Sequence, residues 1–167
     1  MISIREEILS LQKRNLTMYG SMDISISGSK EEVWKTITDI RSTPEIIEGI
    51  EKVEILNDPA EGLVGLKWRQ TRTMLGQETT ETIWITEAAP LEMIQTASES
   101  RGTVYVTNIT LAAEGDGTRL TMDFQGTPQT LIARVITVIT SPLIKNTTRK
   151  SMEKELMDIK AAVESKG

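Results

Sequence analysis

From Glu51 to about residue 127 the chain reads as strand almost without interruption, and this run limits the possible folds more than any other feature. "KVEIL" alternates at Val53 and Ile55, and "NDPAEG" is a turn cluster. "GLKWRQTRTML" puts Leu66, Trp68, Gln70, Arg72 and Met74 on one face, and Lys67, Arg69, Thr71 and Thr73 on the other. "QETTETIWITEAAP" is rich in β-branched residues and ends at Pro90. "LEMIQTASES" and "TVYVTNITLAAE" follow, and "GDG" at 115–117 is the strongest hairpin signal in the chain. It leads into "TRLTMDFQG", where Leu120, Met122 and Phe124 share a face. Strands linked by turns this short imply an antiparallel, meandering sheet.

Helices flank the run. "SIRE" at 3–6 fits a capping box, followed by apolar residues at 4, 8 and 11, so a short N-terminal helix is expected within residues 1–15. From Leu16 the period changes to two: Leu16, Met18, Met22, Ile24 and Ile26 fall on even positions, as in a strand with one buried face. "SKEEVWKTITDI" then starts a helix, with Ser29 as cap and Glu32 completing a capping box, and Val33, Trp34, Ile37 and Ile40 follow at helical spacing. Its end is expected where the residue before Pro44 is pushed from the α region, and Thr43 can cap a second short helix that buries Ile46, Ile47 and Ile50. Asp39, near the first helix's C-terminus, is expected to make a local turn hydrogen bond.

The last forty residues return to helix. "LIARVITVITSPLI" is 14 residues long and interrupted by Arg134 and Pro142, too short for a membrane span, which needs about 20 apolar residues. A buried helix explains it, with a break or kink expected at Ser141–Pro142. Beyond it Met152, Leu156, Ile159 and Val163 recur at spacings of three and four, continuing one long helix that must lie on the sheet. Lys145, Arg149, Lys150 and Lys154 read as its solvated face.

Composition narrows the function. At 167 residues, a single domain can bury roughly two thirds of its unfolded surface. With 19 Lys plus Arg against 24 Asp plus Glu, the formal charge is −5, which argues against a nucleic-acid partner. Zero Cys and zero His remove disulfides, the thiolate nucleophile, the usual general base and the commonest metal ligand, so no metal and no cofactor is expected. The N-terminus lacks an apolar run of signal-peptide length, and a cytoplasmic protein without stable membrane insertion, monomeric or homodimeric, is expected.

The order strand, two short helices, antiparallel strands, long C-terminal helix resembles the helix-grip fold of the START and birch-pollen-allergen-like superfamily, and within it the polyketide cyclase/dehydrase-like branch. The resemblance is carried by "SKEEVWKTITDIRSTPEIIEGIEKVEIL" (29–56), "VGLKWRQT" (64–71), "ITEAAP" (85–90), "GDGTRLTM" (115–122) and the apolar segment before the terminal helix. It spans residues 16–165 within a single domain at 16–167, leaving residues 1–15 as an extension. It implies an α+β fold in which about seven strands curve around the terminal helix and enclose a cavity open at one end. Six aromatic residues and eight Met fit a hollow interior with adaptable walls, and equally fit ordinary gap-filling in a packed core.

Within such a fold Gln70 and Arg72, on a strand face with Trp68, become polar groups on an apolar wall if that face points inward, and surface residues if it points outward. On the next strand the pair Ile83 and Ile85 favours the register that turns Glu81 inward, near enough to pair with Arg72. Tyr105, Ile109 and Leu111 are expected on the following wall, Met122 and Phe124 beyond them, and Leu131, Ile132, Val135 and Val138 on the helix side. Trp34 reads as structural, packing the first helix.

Three functions fit. The leading one is non-catalytic binding of a hydrophobic or amphipathic small molecule. The second is a cyclase or aromatase in which Glu81 or Tyr105 moves protons. The third is a chaperone-activator-like protein-interaction module.

Overall fold

A computed structural model describes residues 17–74, 76–100 and 102–166, with side chains for all of these except 17–19, 74 and 131–144. The helix expected within residues 1–15 lies outside the described residues. Seven strands form one sheet: β1 (Thr17–Ile26), β2 (Ile50–Asn57), β3 (Lys67–Met74), β4 (Gln77–Ala89), β5 (Met93–Ser100), β6 (Thr103–Glu114) and β7 (Gly117–Pro128). Their spatial order is β1-β7-β6-β5-β4-β3-β2, antiparallel at every step, so the meander read from the short turns is the sheet that forms. Register shifts at Met18/Gly20, Ile50/Lys52, Ile55/Asn57 and Ile85/Glu87 supply the bulges that bend such a sheet.

Helix α1 (Lys30–Thr38) starts as its sequence dictates, with Ser29 and Glu32 exchanging both capping-box hydrogen bonds. Asp39 ends it and accepts from the Ser42 backbone N–H at 3.3 Å, holding a 3₁₀ turn at Ile40–Ser42. Two local expectations fail here. Thr43 precedes Pro44 yet sits in the α region (φ −53°, ψ −40°), and the cap of helix α2 (Thr43–Ile46) falls to Ser42, whose side chain makes no capping bond. The 3₁₀ turn runs directly into α2, so Thr43 is already wound before Pro44 enters the first turn.

Helix α3 (Leu131–Glu164) is the one long helix expected, and it continues through Pro142 without a break. It lies against β1, β7 and α1. Met152, Leu156, Ile159 and Val163 bury into a core with Ile26, Val33, Ile47, Ile50, Leu111, Leu120 and Met122. At about 1.5–3 kcal/mol per buried large side chain, this stripe anchors the helix. Polar ties flank it: the Ser27 N–H donates to Glu164 at 2.7 Å, Lys160 donates to the Ser25 carbonyl at 2.7 Å, and the Glu48 N–H donates to Asp158 at 3.0 Å. Gly28 lets the strand-to-helix turn pass beneath α3, since a Cβ there would stand 2.5 Å from Val163 Cγ1. No helix among the described residues is long and apolar enough to cross a membrane.

Candidate functional site

The sheet's two faces differ in what covers them. The inner face meets α1 and α3, and it carries Leu66, just before β3, and Trp68 and Gln70 on β3, all under 10 % exposed, while Lys67 and Arg69 point out. The inward alternative for Gln70 and Arg72 is therefore the one that forms. Pairing of β3 with β4 sets Trp68 opposite Ile83 and Gln70 opposite Glu81, so Glu81 and Ile83 share that face, as the aliphatic pattern of β4 indicated. Ile83 continues to Ser98 and Tyr105 on β5 and β6, and Ile109 is opposite Met122 on β6 and β7. Tyr105 stacks on Phe124 with ring centroids 5.6 Å apart and planes 10° off parallel. Leu131 and Val135 fall on α3, in the half whose side chains are outside the described set.

This inner wall grades from apolar to polar. At one end Trp68, Leu66, Ile85 and Ile94 pack with Trp34, Ile37, Ile40, Ile83 and Ile109, which gives Trp34 the packing role read from its helical spacing. Toward the β3–β4 turn the wall becomes Gln70, Arg72 and Glu81, of which Gln70 is buried and the two charged residues half-buried, with Ser98 and Thr103 buried beside them. Gln70 is 6 % exposed. Beside it the Trp68 Nε1–H is buried without an acceptor. A buried polar group without a partner is uncommon in folded proteins, because each costs about 1–3 kcal/mol of desolvation.

Arg72 pairs across the interior with Glu155 of α3, at 3.8 Å. The expected Arg72–Glu81 contact is thus replaced by an interaction at longer range. The reason is register: Arg72 stands opposite Thr79, Glu81 lies diagonally from it, and the long guanidinium side chain extends to the helix. Burial pushes the Glu81 carboxyl above its usual range, and the positive charge of Arg72 only partly offsets this. Glu155 is raised too, first by burial and then by the nearby charges of Glu81 and Asp158, against the pull of Arg72. One guanidinium thus stands near two carboxyls, with the Arg72 and Glu155 side chains 18 % and 26 % exposed. Sequence reasoning missed Glu155, although the signal was present: it falls between Met152 and Leu156, on the stripe that α3 buries.

Two hollows lie elsewhere. A groove of about 510 Å³ runs between Trp34 and Thr38 of α1, Glu61–Val64, and Ala88 and Pro90. A cleft of about 280 Å³ separates β1 at Gly20–Met22 from α3 at Lys145, Asn146, Arg149 and Met152. Neither is lined by Gln70, Arg72 or Glu81. Among the described residues no group of carboxylates is arranged to hold a metal ion.

Solved structures share this architecture at low sequence identity. A START superfamily protein from Mycobacterium smegmatis superposes with a TM-score of 0.74 at 16 % identity, over 89 % of this chain and 98 % of that one. The Zhui aromatase/cyclase from Streptomyces sp. R1128 gives 0.73 at 14 %, over 90 % and 94 %. The di-domain ARO/CYC StfQ of the steffimycin biosynthetic pathway gives 0.77 at 12 %, over 97 % of this chain and 55 % of that one. No curated protein sequence matches the chain. Residues 20–164, nearly the whole described fold, match the model of a single family, and the chain belongs to that family: polyketide cyclase / dehydrase and lipid transport.

Proposed function

We propose that this protein binds a hydrophobic or amphipathic small molecule against the inner face of its sheet, without transforming it. Trp68, Ile83, Ile109, Met122 and Phe124 form the apolar wall in this reading, Leu131 and Val135 the helix side, and Gln70, Arg72, Glu81 and Tyr105 the polar end. The observation that carries it is Trp68, whose Nε1–H is buried without an acceptor on the largely apolar inner wall. Such a group is costly unless something else bonds to it, and a ligand oxygen or amide would do so. The family's description includes lipid transport, which fits a carrier. Native mass spectrometry of the purified protein tests the reading: a co-purified organic molecule, displaced by alkyl ligands, is expected. Protein that stays ligand-free and takes up no apolar ligand would end it.

One observation favours the cyclase alternative. Glu81 combines burial with a raised pKa, which suits a general acid or base. Its Coulombic coupling to Arg72 and Glu155 supports the carrier reading instead, because a carboxyl in a charge network is held as part of the wall. Incubation with a poly-β-ketone thioester separates them: turnover that Glu81→Gln abolishes would establish the enzyme, and unchanged substrate supports the carrier.

A further inference from the structure

Helix α3 ties itself to the free edge of the sheet at intervals, and one interval is left open. β1 is an edge strand, so the backbone groups on its outer side have no strand to pair with. Near its end α3 takes them up: the Ser27 N–H donates to Glu164 and the Ser25 carbonyl accepts from Lys160, each at 2.7 Å. Backbone groups along a strand alternate in direction with a period of two, and the β1–β7 register runs without a shift from Gly20 to Ile26. The N–H and carbonyl of Ser21 therefore face the same open edge, and among the described residues no side chain bonds to them.

At that level strand and helix part around the cleft of about 280 Å³, with Gly20–Met22 on one side and Lys145, Asn146, Arg149 and Met152 on the other. Met152 belongs to the core, whereas Lys145, Asn146 and Arg149 are exposed, so the cleft has an apolar base and a cationic rim. Arg149 differs from the other described arginines. Arg41, Arg69, Arg72 and Arg119 each pair with a carboxylate, but Arg149 makes no ion pair among the described residues, and neither does Lys145. Even Glu153, one turn along the helix, does not pair with Arg149. Lys145 and Arg149 stand four residues apart on one helix face, where like charges repel, and a bound anion would remove that cost.

The arrangement of donors selects the anion. A carboxylate can be satisfied by the fork of a single arginine. Here donors come from two walls: the Ser21 N–H on the strand, and the Lys145 ammonium, the Asn146 amide and the Arg149 guanidinium on the helix. That suits an anion with acceptor oxygens on several sides. Two cations also match a phosphomonoester, which carries roughly −1.5 to −2 at pH 7.

We infer that the cleft between β1 and α3 binds a phosphate group, carried by a soluble phosphomonoester or by a lipid headgroup. Arg149 is its bidentate partner, Lys145 a second charge, and Ser21 the donor that closes it from the strand. The site lies apart from the inner wall around Trp68 and does not depend on the function proposed above.

The test is isothermal titration of the full chain with glycerol phosphate and with acetate, beside co-sedimentation with phosphatidylcholine vesicles, plain or doped with phosphatidic acid. Arg149→Gln should weaken phosphate binding about tenfold or more, the worth of a hydrogen bond to a charged group. Lys150→Gln makes the same charge change at an exposed neighbour outside the cleft lining, and should alter binding less than about twofold. Glycerol phosphate binding with this pattern, and a ¹⁵N shift of the Ser21 amide, supports the site with a soluble ligand. Sedimentation with phosphatidic acid vesicles alone, with the same dependence on Arg149, supports it with a headgroup ligand. Binding of neither phosphate source, acetate binding as tight as glycerol phosphate, or equal weakening by the two variants overturns the inference. Both substituted side chains are exposed, so the fold is not at stake in the comparison.

Discussion

Replacing Gln70 by Leu should make the protein more stable and a poorer binder. Gln70 is 6 % exposed, on β3 between Trp68 and Arg72, so the folded state carries much of its amide's desolvation cost. That cost is about 1–3 kcal/mol in protein mutational data, and a Leu of similar reach removes it while adding apolar contact with Trp68 and Ile83. For a domain of this size 1 kcal/mol moves the melting temperature by about 2–4 °C, so a rise of roughly 2–10 °C is expected. Urea denaturation should show a higher midpoint at unchanged slope, because the surface exposed on unfolding barely changes. The same variant should bind 2-decanone about fivefold more weakly, the worth of one hydrogen bond. A loss of more than about 1 kcal/mol in stability would refute the reasoning, since it would mean that Gln70 is held by bonds within the protein.

Other substitutions test the frame and its charges. Leu156→Ala, at a site 1 % exposed, should cost about 2–5 kcal/mol in urea unfolding, whereas Met157→Ala next to it, 58 % exposed, should stay within about 0.5 kcal/mol. Ser29→Ala removes the α1 cap and should cost about 1 kcal/mol. The hydrogen bonds from Ser29, its backbone N–H first, hold Glu32 below its ordinary 4.5, so the stability they give is present above that pH and is lost as pH falls through the folded value. Glu32→Gln should therefore flatten the acid limb of the urea-midpoint profile. Glu81 has the opposite sign: burial raises its pKa, so its contribution is most favourable at or below about pH 4.5 and is lost as pH rises through the folded value. Wild type minus Glu81→Gln, measured by urea midpoint from acid to neutral pH, should show that decline, with Arg72 on β3 and Glu155 on α3 as the charges that modulate it.

Much of this was legible in the chain because strand alternation and short turns leave few alternatives. Lys67, Trp68, Arg69 and Gln70 alternate out, in, out, in as written, and the aliphatic pair Ile83 and Ile85 chose the face of β4. The capping box at Ser29 and Glu32 was readable for a local reason: both partners lie within four residues. What local reasoning missed depends on contacts distant in sequence. The partner of Arg72 is 83 positions away, on a helix whose docking angle no periodicity gives, and a charged residue inside an apolar stripe was the only trace of it. Thr43 failed for another reason: the rule for residues before proline describes an isolated preference, and a 3₁₀ turn already closed by Asp39 outweighs it.

The chain's three tryptophans allow the central claim to be tested in a single spectrum. Trp68 lies on the inner wall and Trp84 on the outer face, with Lys67 Nζ 5.6 Å from its ring centroid, and both indole N–H groups are buried without an acceptor. Titrating ¹⁵N-labelled protein with 2-decanone and following the indole N–H signals should move Trp68 and leave Trp84 in place. A shift of Trp84 with Trp68 unmoved, or no shift in either at saturating probe, would contradict binding at the inner wall.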